Sequence, residues 1–218
     1  MVNLGGNNIF EDNVFRRASW SADIYQTPRE LRAALDKLNL IGKKIATIKT
    51  VGGAFEIGGC DVEDDIDKLQ SADALNICVE IDEPFIIVFE DDERFEIDYS
   101  EASSVRAAKN AIPIDIKYGI YPNNFDAAKL FSRCIGETID KIEILESKEP
   151  PYDYTRSFGI ELNENQEAYI NRVDIYLSGG VKFLFRNDFD YGLVTLTDID
   201  DKPLEITLEN LKSALCFS

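Results

Sequence analysis

Carboxylates are the groups with which this chain could do chemistry. The stretch FEDDERFEID, Phe89–Asp98, sets four consecutive acids, Glu90, Asp91, Asp92 and Glu93, between an apolar run and a short apolar–polar alternation. Acids gathered in this way can hold a cation, move a proton or meet a basic surface. A second cluster, DVEDDIDKLQSA from Asp61, opens as a calcium loop does. It then places Ile66 where the sixth-position glycine belongs and Ala72 where the twelfth-position glutamate belongs, so it fails the pattern. DIDDKPLEITLE, from Asp198, does end on Glu209, but it puts Lys202 and Pro203 where a ligand and the glycine are needed. In GGAFEIGGC, Gly53 and Gly58 have phosphate-loop spacing. The next residues are Gly59 and Cys60 instead of Lys and Ser/Thr, so no countercharge for phosphate follows and glycine-rich hairpin ends are expected. Paired carboxylates could also run glycoside hydrolysis, but among 41 acids the sequence singles out no pair.

The chain contains no histidine. That removes Ser-His-Asp and Cys-His catalysis, H-E-x-x-H zinc sites and imidazole proton transfer together. Cys60, Cys78, Cys134 and Cys216 form no C-x-x-C pair and are expected as reduced, buried thiols. No catalytic, cofactor-binding or metal-ligating residue is therefore assigned, and no cofactor is expected.

Charge is the strongest compositional signal. Of 218 residues, 23 are basic and 41 acidic, a net of −18. A field of that sign repels phosphate backbones and anionic lipid heads, so neither nucleic acid nor a membrane surface is expected as partner, and a charge-steered partner would be basic. The excess is uneven: residues 61–101 hold 16 acids against two bases, a net of −14. The plain reading is a set of solvated turns. The functional reading is a partner surface, made of Asp61, Glu63, Asp64, Asp65, Asp91, Asp92 and Glu93. The first residues carry no basic and apolar regions of a signal peptide, and no apolar run approaches the ~18 residues that span a bilayer; the expected location is cytoplasmic.

The elements that would position these acids are written twice. TPRELRAALDKLNLIGKKIATIKTV (27–51) overlays YPNNFDAAKLFSRCIGETIDKIEIL (121–145) at an offset of 94, sharing the signature I-G-x-x-I-x-x-I. Farther on, Val79 and Ile81 align with Val173 and Ile175, and Phe89 and Asp92 with Phe185 and Asp188 after a two-residue insertion. Thr27, Pro28 and Glu30 make a helix start with a cap, a first-turn proline and a capping-box acid. A weaker helix is expected near Asn124 and a short one in LENLKSAL. Gly42 and Gly136 suit a positive-φ position after a helix. Strands are expected at 44–51, 77–81, 85–89, 94–98, 138–145, 172–177, 181–185 and 193–197, closely spaced and therefore antiparallel.

The expected fold is α+β, with two tandem, pseudo-equivalent β-rich repeats, each led by a helix. Residues 1–24 form an extension that covers the core with Phe15, Trp20 and Tyr25. Residues 25–115 and 116–218 form the repeats. In the second copy FEDDERFEI becomes FRNDFDYGL: the turn-forming Asp persists and the clustered charge does not, so Asp91 and Asp188 are expected at strand connections. The chain is broadly similar in composition to small acidic bacterial immunity proteins. The expected function is accordingly a non-enzymatic, acidic, protein-binding one with a basic protein as partner. The alternatives are a small-ligand module with its site between the two repeats, or a carboxylate-dependent enzyme.

Overall fold

In this computed structural model the described residues are 14–16, 20–52, 54–57, 60–61, 75–81, 83–100, 104–117, 125–148, 168–188 and 191–215. They form twelve strands and three α-helices: β1 (Asp23–Tyr25), α1 (Pro28–Leu38), β2 (Ile45–Thr50), β3 (Ala54–Ile57), β4 (Cys60–Asp61), β5 (Cys78–Ile81), β6 (Phe85–Phe89), β7 (Arg94–Ser100), β8 (Ser104–Lys109), α2 (Ala127–Leu130), β9 (Ile139–Ser147), β10 (Tyr169–Leu177), β11 (Val181–Asp188), β12 (Tyr191–Asp198) and α3 (Leu208–Ala214). The fold is mixed α+β with antiparallel sheets, as the pattern predicts. One sheet runs β1-β8-β7-β6-β2 and the other β4-β3-β5-β12-β11-β10-β9. The expected strands at 85–89 and 181–185 start where predicted. The strand β8, SVRAAK, is unanticipated; its alanines carry little β-propensity, and pairing with β7 and β1 holds it in the sheet.

An I-G strand lies at the edge of each sheet: β2 beside β6, β7 and β8 in one, after β3, β4 and β5 have crossed to the other, and β9 beside the consecutive β10, β11 and β12 in the second. Val79, aligned in sequence with Val173 of β10, lies on β5, which joins the larger sheet beside β12, and Phe89, aligned with Phe185 of β11, lies on β6 of the smaller sheet. Alternating Ile, Val and Phe look alike in any buried strand, so matching residues does not fix which strand is matched. The hairpin β3–β4, where glycine-rich ends were expected, also belongs to the larger sheet through β5. Strands from the first half thus cross into the sheet of the second.

The two I-G segments meet. Gly42 N donates to Ile139 O and Gly136 N to Ile45 O, both at 2.8 Å. Ile45 N donates to Glu137 O at 2.8 Å and Ile139 N to Lys43 O at 3.0 Å, with Lys44 and Thr138 facing each other as a single bridge. Gly42 and Gly136 have φ of 84° and 87°, which a side chain would strain. Gly136 follows the 3-10 turn Ser132–Cys134 as expected of a glycine after a helix, whereas for α1 Asn39, at φ 53°, takes the place expected for Gly42. Beyond this junction α1 packs on β9 and α2 packs on β2, so each half's helix lies over the other's first strand.

α1 starts as its sequence dictates. Thr27 Oγ1 accepts from Glu30 N and Glu30 Oε2 accepts from Thr27 N, each at 3.2 Å, completing the capping box. Its Leu31 and Leu35 enter a core shared by both sheets. At the centre of that core Phe85 meets Phe131, Phe183 and Phe185 edge-to-face, with centroids 5.3, 5.5 and 5.2 Å away. Tyr99 hydroxyl donates to Phe185 O at 2.7 Å and ties the sheets together. The opposite face of the smaller sheet is covered by Phe15 and Trp20, packed over Ile86, Val88 and Ile112. There Glu96 is fully buried and accepts from Trp20 Nε1 at 3.0 Å and Ile112 N at 2.7 Å. Burial raises its pKa above the ordinary carboxyl value, against the pull of those two donors. Tyr25 lies on β1, at the sheet edge.

Phe85 is the ring common to three aromatic contacts across the two sheets. Phe85→Ala should lose about 3–5 kcal/mol of stability, read from the midpoint of chemical unfolding. A loss below about 1 kcal/mol would show that the sheets do not depend on this contact.

Candidate functional site

At the β6–β7 turn, acids of the expected site are held in ion pairs. Glu90 to Glu93 form the turn between β6 and β7, with Asp92 at φ 62°. Asp91 Oδ1 accepts from Glu93 N at 3.2 Å, a local turn bond of the kind that favours Asp at such places. Lysines then neutralise the turn. Glu90 pairs with Lys44 at 2.7 Å, Asp91 with Lys43 at 2.5 Å, and Glu93 with Lys109 at 2.6 Å and also with Lys43. Lys43 holds Asp91 below the usual carboxylate range, and Lys109 and Lys43 do the same for Glu93. These lysines lie between 16 and 50 residues away in sequence, so the run of acids alone could not reveal them. Asp61 stands on the short strand β4, whereas Glu63, Asp64 and Asp65 lie outside the described residues. The structure therefore brings Asp91, Asp92 and Glu93 together and does not relate them to Glu63–Asp65. Among the described residues no three acidic or sulfur side chains converge to hold a metal ion.

A groove of about 970 Å³ lies elsewhere, between α1, the length of β9, the outer face of β10–β11 and the turn after β12. Residues of both halves line it. Its floor carries a charged network that the sequence reading missed. Alternation on β10 sends Val173, Ile175 and Leu177 to the core and Arg172, Asp174 and Tyr176 to the other face. Lys182 stands opposite Tyr176 on β11. Asp174 is fully buried and Lys182 is 2% exposed.

Arg172 Nη2 donates to Asp174 Oδ2 at 2.8 Å, while its Nε lies 2.6 Å from Oδ1, an ion pair too bent for a hydrogen bond. Lys182 Nζ donates to Asp174 Oδ2 at 3.3 Å and lies 4.8 Å from the centre of the Tyr176 ring. Asp201 closes the network from above, pairing with Lys182 and, at 3.1 Å, with Arg172 Nη2. It is held there by the turn that resembled a calcium loop: Asp198 Oδ1 accepts from Asp200 N and Lys202 N at 2.9 Å each, and Asp201 adopts φ 65°. Farther along the face Lys141 pairs with Glu143 at 2.5 Å and lies 5.0 Å from the same ring.

The network drives every shifted group away from neutrality. Burial opposes the charge on Lys182, but Asp201, Asp174 and Tyr176 outweigh it and raise its pKa; Arg172 rises likewise against its own burial, through Asp174 and Asp201. Lys182, with Arg172, pulls Asp201 down; Lys141, with Tyr176, does the same for Glu143, and Glu143 lifts Lys141. Tyr176 rises through burial and its bond to Glu143. A general acid or base works best with a pKa near the operating pH, and none of these groups is moved there.

Other charges at the groove have no such partner. Among the described residues the carboxylates of Asp36, Asp140 and Asp200 make no ion pair, although all three line it. At its rim Ile41 and Ile199 are 54% and 60% exposed. Cys78 and Cys134 are in no disulfide among the described residues and lie away from this groove, and burial, with the charge of Glu137, pushes the Cys134 pKa up. No helix among the described residues is long and apolar enough to cross a membrane. No protein-family model, curated protein or solved structure matches the chain.

Removing one cation from a buried ion network strands a charge. Lys182→Met should cost about 3 kcal/mol or more, while Lys182→Met combined with Asp174→Leu should recover most of that loss. A double-mutant cycle on chemical unfolding checks this; additive losses would refute the coupling. The pH dependence has a definite sign. Asp201 and Glu143 have folded pKa values below their unfolded ones, so their contribution is complete above the unfolded values of about 3.9 and 4.3. It is lost as pH falls through the lower, folded values. Asp201→Asn should flatten the acid side of the stability–pH profile.

Proposed function

We propose that this chain is a non-enzymatic binding module for a basic protein partner, and that the partner contacts the groove between α1 and the outer face of the larger sheet. The observation that carries this reading is the groove itself: about 970 Å³, bordered by both halves, with Asp36, Asp140 and Asp200 uncompensated around it. Acids already satisfied inside the molecule have little to offer a partner. Asp91 and Glu93 are in that position, held by Lys43 and Lys109. Asp61, Glu63, Asp64, Asp65 and Asp92 keep a share in the proposal as part of the −14 stretch, whose field steers a basic molecule toward the protein.

Binding is favoured over catalysis because the ion pairs of the groove hold Glu143 and Asp201 ionised and Lys141, Arg172 and Lys182 protonated, so none of these five is tuned to exchange a proton near neutrality. A small ligand is the second reading, since the volume falls at the upper end of the ~300–1,000 Å³ common for such pockets. The exposed apolar side chains of Ile41 and Ile199 at the rim favour a macromolecule, which would cover them.

We also read the chain as a duplicated unit, 25–115 and 116–218. The support is the reciprocity of its backbone: the bonds Gly42–Ile139 and Gly136–Ile45 exchange under the same offset of 94 that relates the sequences. The residues lining the groove from β9, Lys141 to Ile144, answer under that offset to Thr47–Thr50, which line a smaller cavity of about 380 Å³ beside β2.

The test uses the full chain and a basic partner recovered at low salt from the protein's own cells, then purified. Reversing Asp140→Lys together with Asp200→Lys should weaken association at least about tenfold. Reversing Asp91→Lys with Glu93→Lys should weaken it less. Binding should fade as the screening length falls from ~10 Å at 0.1 M salt to ~3 Å at 1 M. Equal effects of the two pairs, or indifference to salt, would overturn the groove as the contact.

A further inference from the structure

We propose that the free edge of β9 is a strand-addition site for an extended basic segment of the partner. The inference rests on the binding reading above and specifies how the groove is used. β9 is the terminal strand of the larger sheet. Its first residue is engaged on the outer side, where Ile139 donates to Lys43 O and accepts from Gly42 N. From Asp140 onward no strand among the described residues pairs with that side. An open edge is a row of donors and acceptors ready to template another strand.

The groove follows this edge. Asp140, Lys141, Ile142, Glu143, Ile144 and Leu145 all line it. Successive side chains of a strand point to opposite faces, so a groove that touches six in a row runs along the edge instead of over one face. An added strand would send alternate side chains to the two walls of the groove. One wall is α1 and the segment that follows it, with Asp36 and Ile41; the other is the turn after β12, with Ile199 and Asp200.

Charge selects the occupant. Asp36 on α1, Asp140 on the edge and Asp200 on the turn have no cation partner among the described residues, so lysine or arginine side chains of an added strand would complete them. Ile41 and Ile199, both exposed, offer apolar contact between those charges. A segment alternating apolar and basic residues meets both demands. A second copy of this chain meets them poorly, because it brings another net charge of −18 to the same surface. The edge of β2 suits a basic segment less: its cavity is smaller, about 380 Å³, and carries Lys49 and Lys117, with Lys49 donating to Ile114 O.

The probe is a synthetic, end-blocked nonapeptide of alternating lysine and valine, titrated into the full-length protein at low salt. Two companions are a peptide of the same sequence N-methylated at every second residue, in both registers, and oligolysine of equal charge. Hydrogen exchange should show the free amides within Asp140–Glu146 slowed at least about tenfold by the first peptide. The N-methylated peptide that loses its edge-facing donors should bind at least about tenfold more weakly, since each missing hydrogen bond costs roughly that factor. Oligolysine should bind more weakly and leave β9 amides unprotected.

Equal binding by both methylated peptides and the parent, with β9 exchange unchanged, would overturn strand addition. The groove reading would then still stand if Asp140→Lys with Asp200→Lys weakened the parent peptide, and would fall with it if they did not. Protection of β9 without peptide, in a protein that sediments as a dimer, would overturn the basic occupant and assign the edge to a second copy.

Discussion

Four backbone hydrogen bonds between the two I-G-x-x-I segments set the geometry on which the rest of the molecule depends. Gly42 and Ile45 of one segment bond Ile139 and Gly136 of the other, and Lys44 faces Thr138 at the crossing. Only a residue without a side chain adopts φ near 85° at little cost, and both segments supply one there. Because the edge strands β2 and β9 are joined at their starts, the sheets splay from a common point and close over one core. The helices that precede those strands are carried across, α1 to β9 and α2 to β2. The aromatic cluster around Phe85 then fills the space between the layers, so the backbone junction decides which side chains can meet.

The same crossing creates the groove. α1 would bury a different surface if it folded back on its own strand, and β9 would lie open. Laid along β9, it forms one wall, and the wall opposite comes from the turn after β12. The two walls differ in origin, one contributed by each half, which is why the cavity is bordered by both. The helices are unequal, with 11 residues in α1 and 4 in α2, and so are the cavities beside them. A short helix leaves the β2 edge to be bordered by the Ile116–Lys117 segment, and the space that remains is less than half as large.

Charge is handled in two ways here. At the β6–β7 turn, acids adjacent in sequence are separated in effect by lysines from other elements, and the result is a neutralised surface tip. On the outer face of β10–β11 the charges are few, Asp174 and Lys182 are buried, and Arg172, Asp174, Lys182 and Asp201 satisfy one another. A buried carboxylate such as Asp174 is tolerable only because two cations reach it. Its partners keep the floor of the groove rigidly polar, while the carboxylates left over, at Asp36, Asp140 and Asp200, sit where solvent or a partner can reach them. Total charge located neither group, since Asp174 and Asp140 weigh the same in any count.

By itself the sequence determined what depends on near neighbours. The capping box at Thr27–Glu30, the strands of alternating Ile and Phe, the turn at Asp91–Asp92 and the α+β class all follow from residues a few positions apart, because hydrogen bonds of caps and turns close over such distances. The I-G recurrence was legible as well, though which strand followed which was not: β5 and β6 carry similar apolar patterns, and only pairing with β12 puts β5 in the other sheet. The charged network and the groove were decided by tertiary structure alone. Asp201 reaches Lys182 and Arg172 from a turn that read as a failed calcium loop, and Lys43 cancels Asp91 from 48 residues away. Electrostatic energy depends on distance in space and on burial, and a linear chain states neither until strands are paired and helices laid across them.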